Sequence, residues 1–241
     1  MYDFYSRVRY SEVNADRVMP LYNIMNYFQD CSMFHSETIG LGIDYLNERN
    51  QGWVLSSWQT VVERYPRLGE EIRICTWPHE FKGFIGARNF LLESKEGERL
   101  AYANSLWIFV DTKSGRPIKV TEDQMEGYAL EEPYPMHYAP RKIKLNAEAE
   151  GERLAPVLIQ QRYMDSNGHM NNEQYIKLAQ DYLPADFIIK EMRAEYRKEV
   201  RNVTQIMPVL YKLSDGYAVE WCDAEGRSYA VVQFFDRICE E

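Results

Sequence analysis

Eight consecutive positions concentrate the groups that could do chemistry in this chain: Asp165-Ser166-Asn167-Gly168-His169-Met170-Asn171-Asn172. They bring together a carboxylate, an imidazole and three carboxamides. An imidazole changes charge near neutral pH and can share in proton transfer. A carboxylate can orient its neighbours, and a carboxamide can position a water or a carbonyl. A helical pattern begins directly afterwards, with Tyr175, Leu178, Ala179 and Tyr182 at helical spacing. Asp and Asn are common at helix starts, so the plain alternative is a capped helix with Asn171 or Asn172 as the N-cap. Capping accounts for one or two of these side chains. It leaves the imidazole and the outlying polar groups unexplained, and the functional reading is preferred.

The segment that leads into this cluster and the helical pattern after it occur twice. Arg9-Tyr10-Ser11-Glu12-Val13-Asn14-Ala15-Asp16 resembles Arg162-Tyr163-Met164-Asp165-Ser166-Asn167-Gly168-His169: Arg-Tyr, then an acid, then Asn two residues later. In the first copy Leu21, Ile24, Met25 and Phe28 form the helical stripe, and Pro20 sits where a first-turn proline is tolerated. Both helices carry Gln-Asp, at Gln29-Asp30 and Gln180-Asp181. This alignment sets Asp16 against His169 and Val18-Met19 against the Asn pair. Polarity concentrated in one copy is expected of a duplicated fold that kept one active site.

Strand-like runs follow each helix, at about 52–65, 71–79, 84–94 and 99–111, and again at 194–199, 205–213, 217–222 and 228–238. Asp215-Gly216 is a hairpin turn signal. A helix followed by antiparallel strands is an α+β pattern, and the sheet must cover the apolar stripe of the helix. The stretch 127–152 is rich in Pro, Glu and Tyr, lacks periodicity and reads as a linker.

Composition narrows the class. With 241 residues the chain can bury a core without disulfide or metal. It is 45% hydrophobic and 27% charged, which excludes disordered, collagen-like and coiled-coil classes. The formal charge of −9 argues against a general nucleic-acid binder. No run reaches the roughly 20 apolar residues of a membrane helix. The N-terminal residues lack an apolar leader pattern, so the expected compartment is cytoplasmic. The four cysteines, Cys31, Cys75, Cys222 and Cys239, show no CxxC pairing, so no metal or redox site is expected, and buried free thiols are the better account.

Asp165-x-Asn167-x-His169-x-Asn171-Asn172 followed by Tyr175-Ile176 resembles the signature of acyl-acyl-carrier-protein (acyl-ACP) thioesterases. Glu195-Tyr196-Arg197-Lys198-Glu199 resembles that family's second signature. Trp53, Val62, Arg64-Tyr65-Pro66, Gly69, Trp77 and Ser105-Leu106-Trp107 are similar to it in the first copy. The resemblance implies a tandem double hotdog, two long helices each wrapped by an antiparallel sheet. It implies hydrolysis of an acyl-ACP thioester, with an acyl carrier protein as partner and no cofactor. Glu199 is then the candidate general base for water, and His169, Asn167 and Asp165 share proton transfer, positioning and orientation. Backbone N–H groups near Asn171 and Asn172 would hold the oxyanion. Plant members have a cysteine after the second-signature glutamate. Val200 stands there, which disfavours a cysteine acyl-enzyme and favours attack by water. Without the resemblance, Glu199 reads as a solvated carboxylate paired with Arg197 or Arg201.

Met25, Phe28 and Trp58 are candidates for an acyl pocket, against the plain alternative of core packing. Arg141, Lys142, Lys144, Arg197 and Arg201 form candidate docking patches for an acidic carrier, against that of a solvated charged face. The expected organisation is an N-terminal domain with the acyl pocket over 1–126, the linker over 127–152 and a catalytic domain over 153–241. An acyl-CoA thioesterase on the same fold and a non-catalytic acyl-thioester binding module are the alternatives. A homodimer stays open, since two fused hotdogs already pair.

Overall fold

The computed structural model describes residues 1–145, 151–165, 168–201 and 203–239. Asn167, one of the candidate site residues, lies outside the described residues. The contacts divide the chain into two compact units: Met1–Ser56 with Thr60–Tyr138, and Ser57–Gln59 with Ala139–Glu241.

In the first unit a strand β1 (Tyr2–Arg7) leads to helix α1 (Leu21–Thr38), a short helix α2 (Ile43–Glu48) and strands β2 (Gln51–Val62), β3 (Glu71–Lys82), β4 (Ile85–Ser94) and β5 (Arg99–Asp111). The sheet order is β1-β3-β4-β5-β2, and a two-residue β6 (Arg116–Pro117) pairs with β5. Helix α3 (Glu122–Gly127) follows. Leu21, Ile24, Met25, Phe28 and Cys31 form the buried face of α1, and the Phe28 and Phe90 rings lie 5.2 Å apart. Each such side chain removed from water contributes about 1.5–3 kcal/mol. Pro20 is the N-cap of α1 rather than a first-turn residue. The helix ends where Gly40 turns to φ +74. There Gly40 N–H donates to Glu37 O and Leu41 N–H to Ser36 O, closing a Schellman motif.

The second unit has short strands β7 (Glu152–Arg153) and β8 (Val157–Leu158), helix α4 (Asn172–Gln180) and strands β9 (Glu191–Tyr196), β10 (Gln205–Lys212), β11 (Gly216–Cys222) and β12 (Ser228–Phe235). The order is β9-β12-β11-β10-β7, with β8 also on β10, and the pairs are antiparallel. Both units are therefore α+β with antiparallel strands. Tyr175, Ile176 and Ala179 form the buried apolar face of α4, and the fully buried Trp221 donates its indole N–H to Tyr175 O at 3.1 Å. Leu178 and Tyr182 of the expected stripe are only half-buried.

Three expectations change. Helix α4 has nine residues against the 18 of α1, so the helices are not both long. Pro184 bounds any continuation of α4, because it disfavours helical backbone at Leu183. Strand β9 starts earlier than expected and stops at Tyr196, so Glu199 lies on the segment after the strand. Finally, the repeat has a different register before the helices. Asn14 N–H donates to Val18 O at 2.9 Å, as Asp165 N–H does to His169 O at 2.7 Å. Arg17 and Gly168 share positive φ, at 61° and 72°. Val18, not Asp16, is thus the counterpart of His169, and Pro20-Leu21 are the counterparts of the Asn pair.

No helix among the described residues is long and apolar enough to cross a membrane.

Candidate active site

The site is assembled by one tight turn and the segment that follows β9 in the second unit. The turn closes with Asp165 N–H to His169 O and Gly168 N–H to Asp165 O, 3.1 Å. The Asp165 Oδ1 accepts the His169 backbone N–H at 3.0 Å. Gly168 takes positive φ there, which costs glycine nothing. The segment leaves β9 with Arg197 and Lys198 N–H both donating to Tyr229 O. Met170 N–H then donates to Val200 O at 3.2 Å. Met170 and Val200 are 3% and 1% exposed. This buried pair brings the turn and the segment together, and the neighbours of each partner meet at the surface.

His169 Nε2 lies 3.1 Å from Glu199 Oε2. Arg201 Nη2 also contacts Nε2. His169 is largely covered while Glu199 is half open to solvent, with side-chain exposures of 22% and 51%. The arrangement offers a carboxylate in reach of water, an imidazole beside it and a permanent cation against the same ring nitrogen. Beneath them the Val200 backbone reaches the Tyr175 hydroxyl, and burial pushes that phenol well above its ordinary range.

Asn171 caps α4, its side chain accepting Glu173 N–H at 3.3 Å. Its own N–H donates to Tyr163 O at 2.8 Å. It is therefore already committed and is not the oxyanion donor expected near Asn171. The Asn172 carbonyl accepts the Tyr196 hydroxyl at 2.9 Å, which ties the helix start to the end of β9.

Other expected site residues separate. Arg197 bridges Glu195 and Glu220, both at 3.0 Å, and donates to Ile143 O. It is neither paired with Glu199 nor presented as an open docking charge. Lys142 and Lys144 are exposed, and Arg141 is half-buried. Met25, Phe28 and Trp58 are 2%, 0% and 3% exposed. Met25 accepts the Thr60 hydroxyl. Trp58 falls in Ser57–Gln59, which groups with the second unit rather than with the first. A cavity of about 660 Å³ in the first unit is lined by Trp77, His79, Leu130 and Pro133 among others, and by none of these three.

Burial pushes the Cys75 thiol up to about 12 and those of Cys222 and Cys239 to about 11. A thiol held so far up is a poor nucleophile at neutral pH. The Arg201–His169 contact was not read from sequence, although a signal existed. In an extended segment alternate side chains share a side, so Glu199 and Arg201 go together once Val200 points inward.

Comparison with known proteins bears on this geometry. The family profile for the acyl-ACP thioesterase N-terminal domain matches residues 1–128, and that for the C-terminal domain matches 154–220. A chloroplastic palmitoyl-acyl carrier protein thioesterase of Cuphea hookeriana is 26% identical over 232 residues, covering 89% of this chain and 56% of that protein. Its Arabidopsis thaliana namesake is 27% identical over 208 residues, covering 80% and 50%. The chain thus spans about half the length of the curated relatives it matches. Among solved structures, an acyl-ACP thioesterase from Bacteroides thetaiotaomicron superposes with a TM-score of 0.86 at 21% identity, covering 97% of this chain and 96% of that one. A 12:0-ACP thioesterase from Umbellularia californica gives 0.81 at 22%, with the same coverage. These likenesses establish a shared fold. With both family profiles matched, one over more than half of its length, the chain belongs to the acyl-ACP thioesterase family.

Proposed function

We propose that the chain hydrolyses the thioester of acyl-ACP to a free fatty acid and the carrier thiol, on a tandem double-hotdog scaffold. The observation that carries this reading is the placement of the Glu199 carboxylate 3.1 Å from His169 Nε2, set by the Met170–Val200 backbone bond. Family membership and the names of the curated relatives support the substrate class. Glu199 takes a proton from water as the oxygen attacks the thioester carbon. The negative charge develops on the former carbonyl oxygen, which accepts the N–H of Asn172. Among the described residues this is the N–H left at the helix start, since those of Asn171, Glu173 and Gln174 bond to Tyr163 O, the Asn171 side chain and Asn171 O. One such donor contributes about 3 kcal/mol to the transition state. The C–S bond then breaks and the proton taken up by Glu199 leaves with the thiol. The second unit supplies this chemistry. Met25 and Phe28 of the first unit remain proposed for the acyl chain, and Lys142 and Lys144 for carrier docking.

Thiol release from a panel of acyl-ACP and acyl-CoA substrates, wild type beside Glu199→Gln, tests this. Turnover of acyl-ACP that falls by about 10²–10⁴ in the variant is expected. Preference for acyl-CoA would move the substrate to that carrier. Turnover of neither would overturn the hydrolase reading.

A further inference from the structure

His169 Nε2 faces two groups at once: the Glu199 carboxylate at 3.1 Å and an Arg201 N–H. One ring nitrogen has either a proton to give or a lone pair to receive, never both. Guanidinium keeps its protons at all working pH and can only donate. If Arg201 bonds Nε2, that nitrogen is bare and the neutral ring carries its proton on Nδ1. If Nε2 carries the proton, Arg201 is excluded and the ring binds Glu199. The two neighbours therefore compete for one atom. We propose that Arg201 is a positioning residue that wins this competition, holding His169 in the Nδ1–H tautomer and keeping Glu199 out of a pair with the ring.

The consequence rests on the proposed hydrolytic role of Glu199. A carboxylate accepting the Nε2 proton is occupied; one left beside an Arg-bound imidazole stays open to water. Glu199 is half exposed, so water reaches it. Arg201 and Glu199 flank the buried Val200, whose carbonyl bonds Met170 next to His169. One backbone bond thus presents both competitors to the ring. Asp165 stands on the other side of the turn, where its Oδ1 takes the His169 backbone N–H.

Imidazole ¹⁵N–¹H correlation spectra at about pH 8, where an ordinary histidine is neutral, read the tautomer directly. The chain has four histidines, and the signals lost in His169→Asn identify the right ring. Wild type and Arg201→Lys, which keeps a cationic donor, are expected to show a bare Nε2. In Arg201→Ala the proton is expected to move to Nε2, next to Glu199. Steady-state kinetics should then show kcat reduced about tenfold with KM for acyl-ACP unchanged. A protonated Nε2 in wild type, or an unaltered tautomer in Arg201→Ala, overturns the proposal. So does a raised KM at constant kcat, the pattern of a docking residue. The spectra need no substrate, so a failure of the hydrolase reading is distinguishable from a failure of this one.

Discussion

Asn14 and Asp165 hold the same turn in the two units. Asn14 Oδ1 accepts Val18 N–H at 3.0 Å, and Asp165 Oδ1 accepts His169 N–H at 3.0 Å. In both units the next residue, Met19 or Met170, donates its N–H to the segment that follows the first long strand-like run after the helix: Pro66 O at 2.8 Å and Val200 O at 3.2 Å. A carboxamide does in one unit what a carboxylate does in the other, so the turn itself does not require the charge of Asp165.

Asp165→Asn should accordingly keep stability within about 0.5 kcal/mol of wild type, while Asp165→Ala should cost about 1 kcal/mol for the lost bond. Urea unfolding measures both. An Asn variant as unstable as the Ala variant would give the carboxylate a further structural duty. A stable Asn variant without turnover would assign the charge to chemistry.

The same turn predicts opposite responses at its left-handed residue. A Cβ added to Gly168 meets nothing within 4 Å, so Gly168→Ala costs only backbone strain, about 1 kcal/mol. Arg17 pays that strain already at φ 61°. Arg17→Gly should stabilise, by less than about 1 kcal/mol, because glycine also loosens the unfolded chain. Melting temperatures that move in the same direction would refute the shared geometry.

Arg197 and the exposed lysines should separate stability from docking. Glu195 is 5% exposed and accepts Ile143 N–H as well as Arg197. Arg197→Ala leaves that buried carboxylate without its cation and is expected to cost about 1–3 kcal/mol, discounted for the partial exposure of the arginine. Lys142→Glu with Lys144→Glu should leave stability within about 0.5 kcal/mol. It should raise KM for an acidic carrier and weaken the salt dependence of kcat/KM. Unchanged KM would remove these lysines from docking.

Acid should weaken the first unit through His35. Burial, with the Arg88 charge adding to it, lowers this imidazole to about 4, and Arg88 Nη1 donates to its Nδ1 at 3.0 Å. The unfolded chain takes up a proton near pH 6.5 and the folded one only near 4. The stabilising contribution is therefore whole above pH 6.5 and lost as pH falls toward 4. Between pH 7 and pH 5 this is worth about 2 kcal/mol. His35→Gln keeps an acceptor for Arg88 and should flatten the pH dependence of the urea midpoint over that range. An equally steep slope in the variant would place the acid sensitivity elsewhere.

Much of the fold was legible because its signals are local. The stripe of Leu21, Ile24, Met25 and Phe28 and the strand runs are carried by near neighbours. Local reading failed where distant packing intervened. The Arg9–Arg162 match suggested one register for the repeat, but hydrogen bonding aligns Asn14 with Asp165. Arg17 hid this, since it adopts a conformation its residue type does not advertise.

The polar cluster from Asp165 to Asn172, its restriction to one of two copies and the second cluster ending at Glu199 follow from residue type and order alone. The neighbours of these groups come from packing: Glu199 beside His169, Arg197 with Glu195 and Glu220, the Asn171 N–H with Tyr163, and Arg201 against the ring nitrogen. Whether charged and polar groups pair depends on separations of about 3 Å. Here those separations follow from burying Met170 against Val200, a contact between residues far apart along the chain.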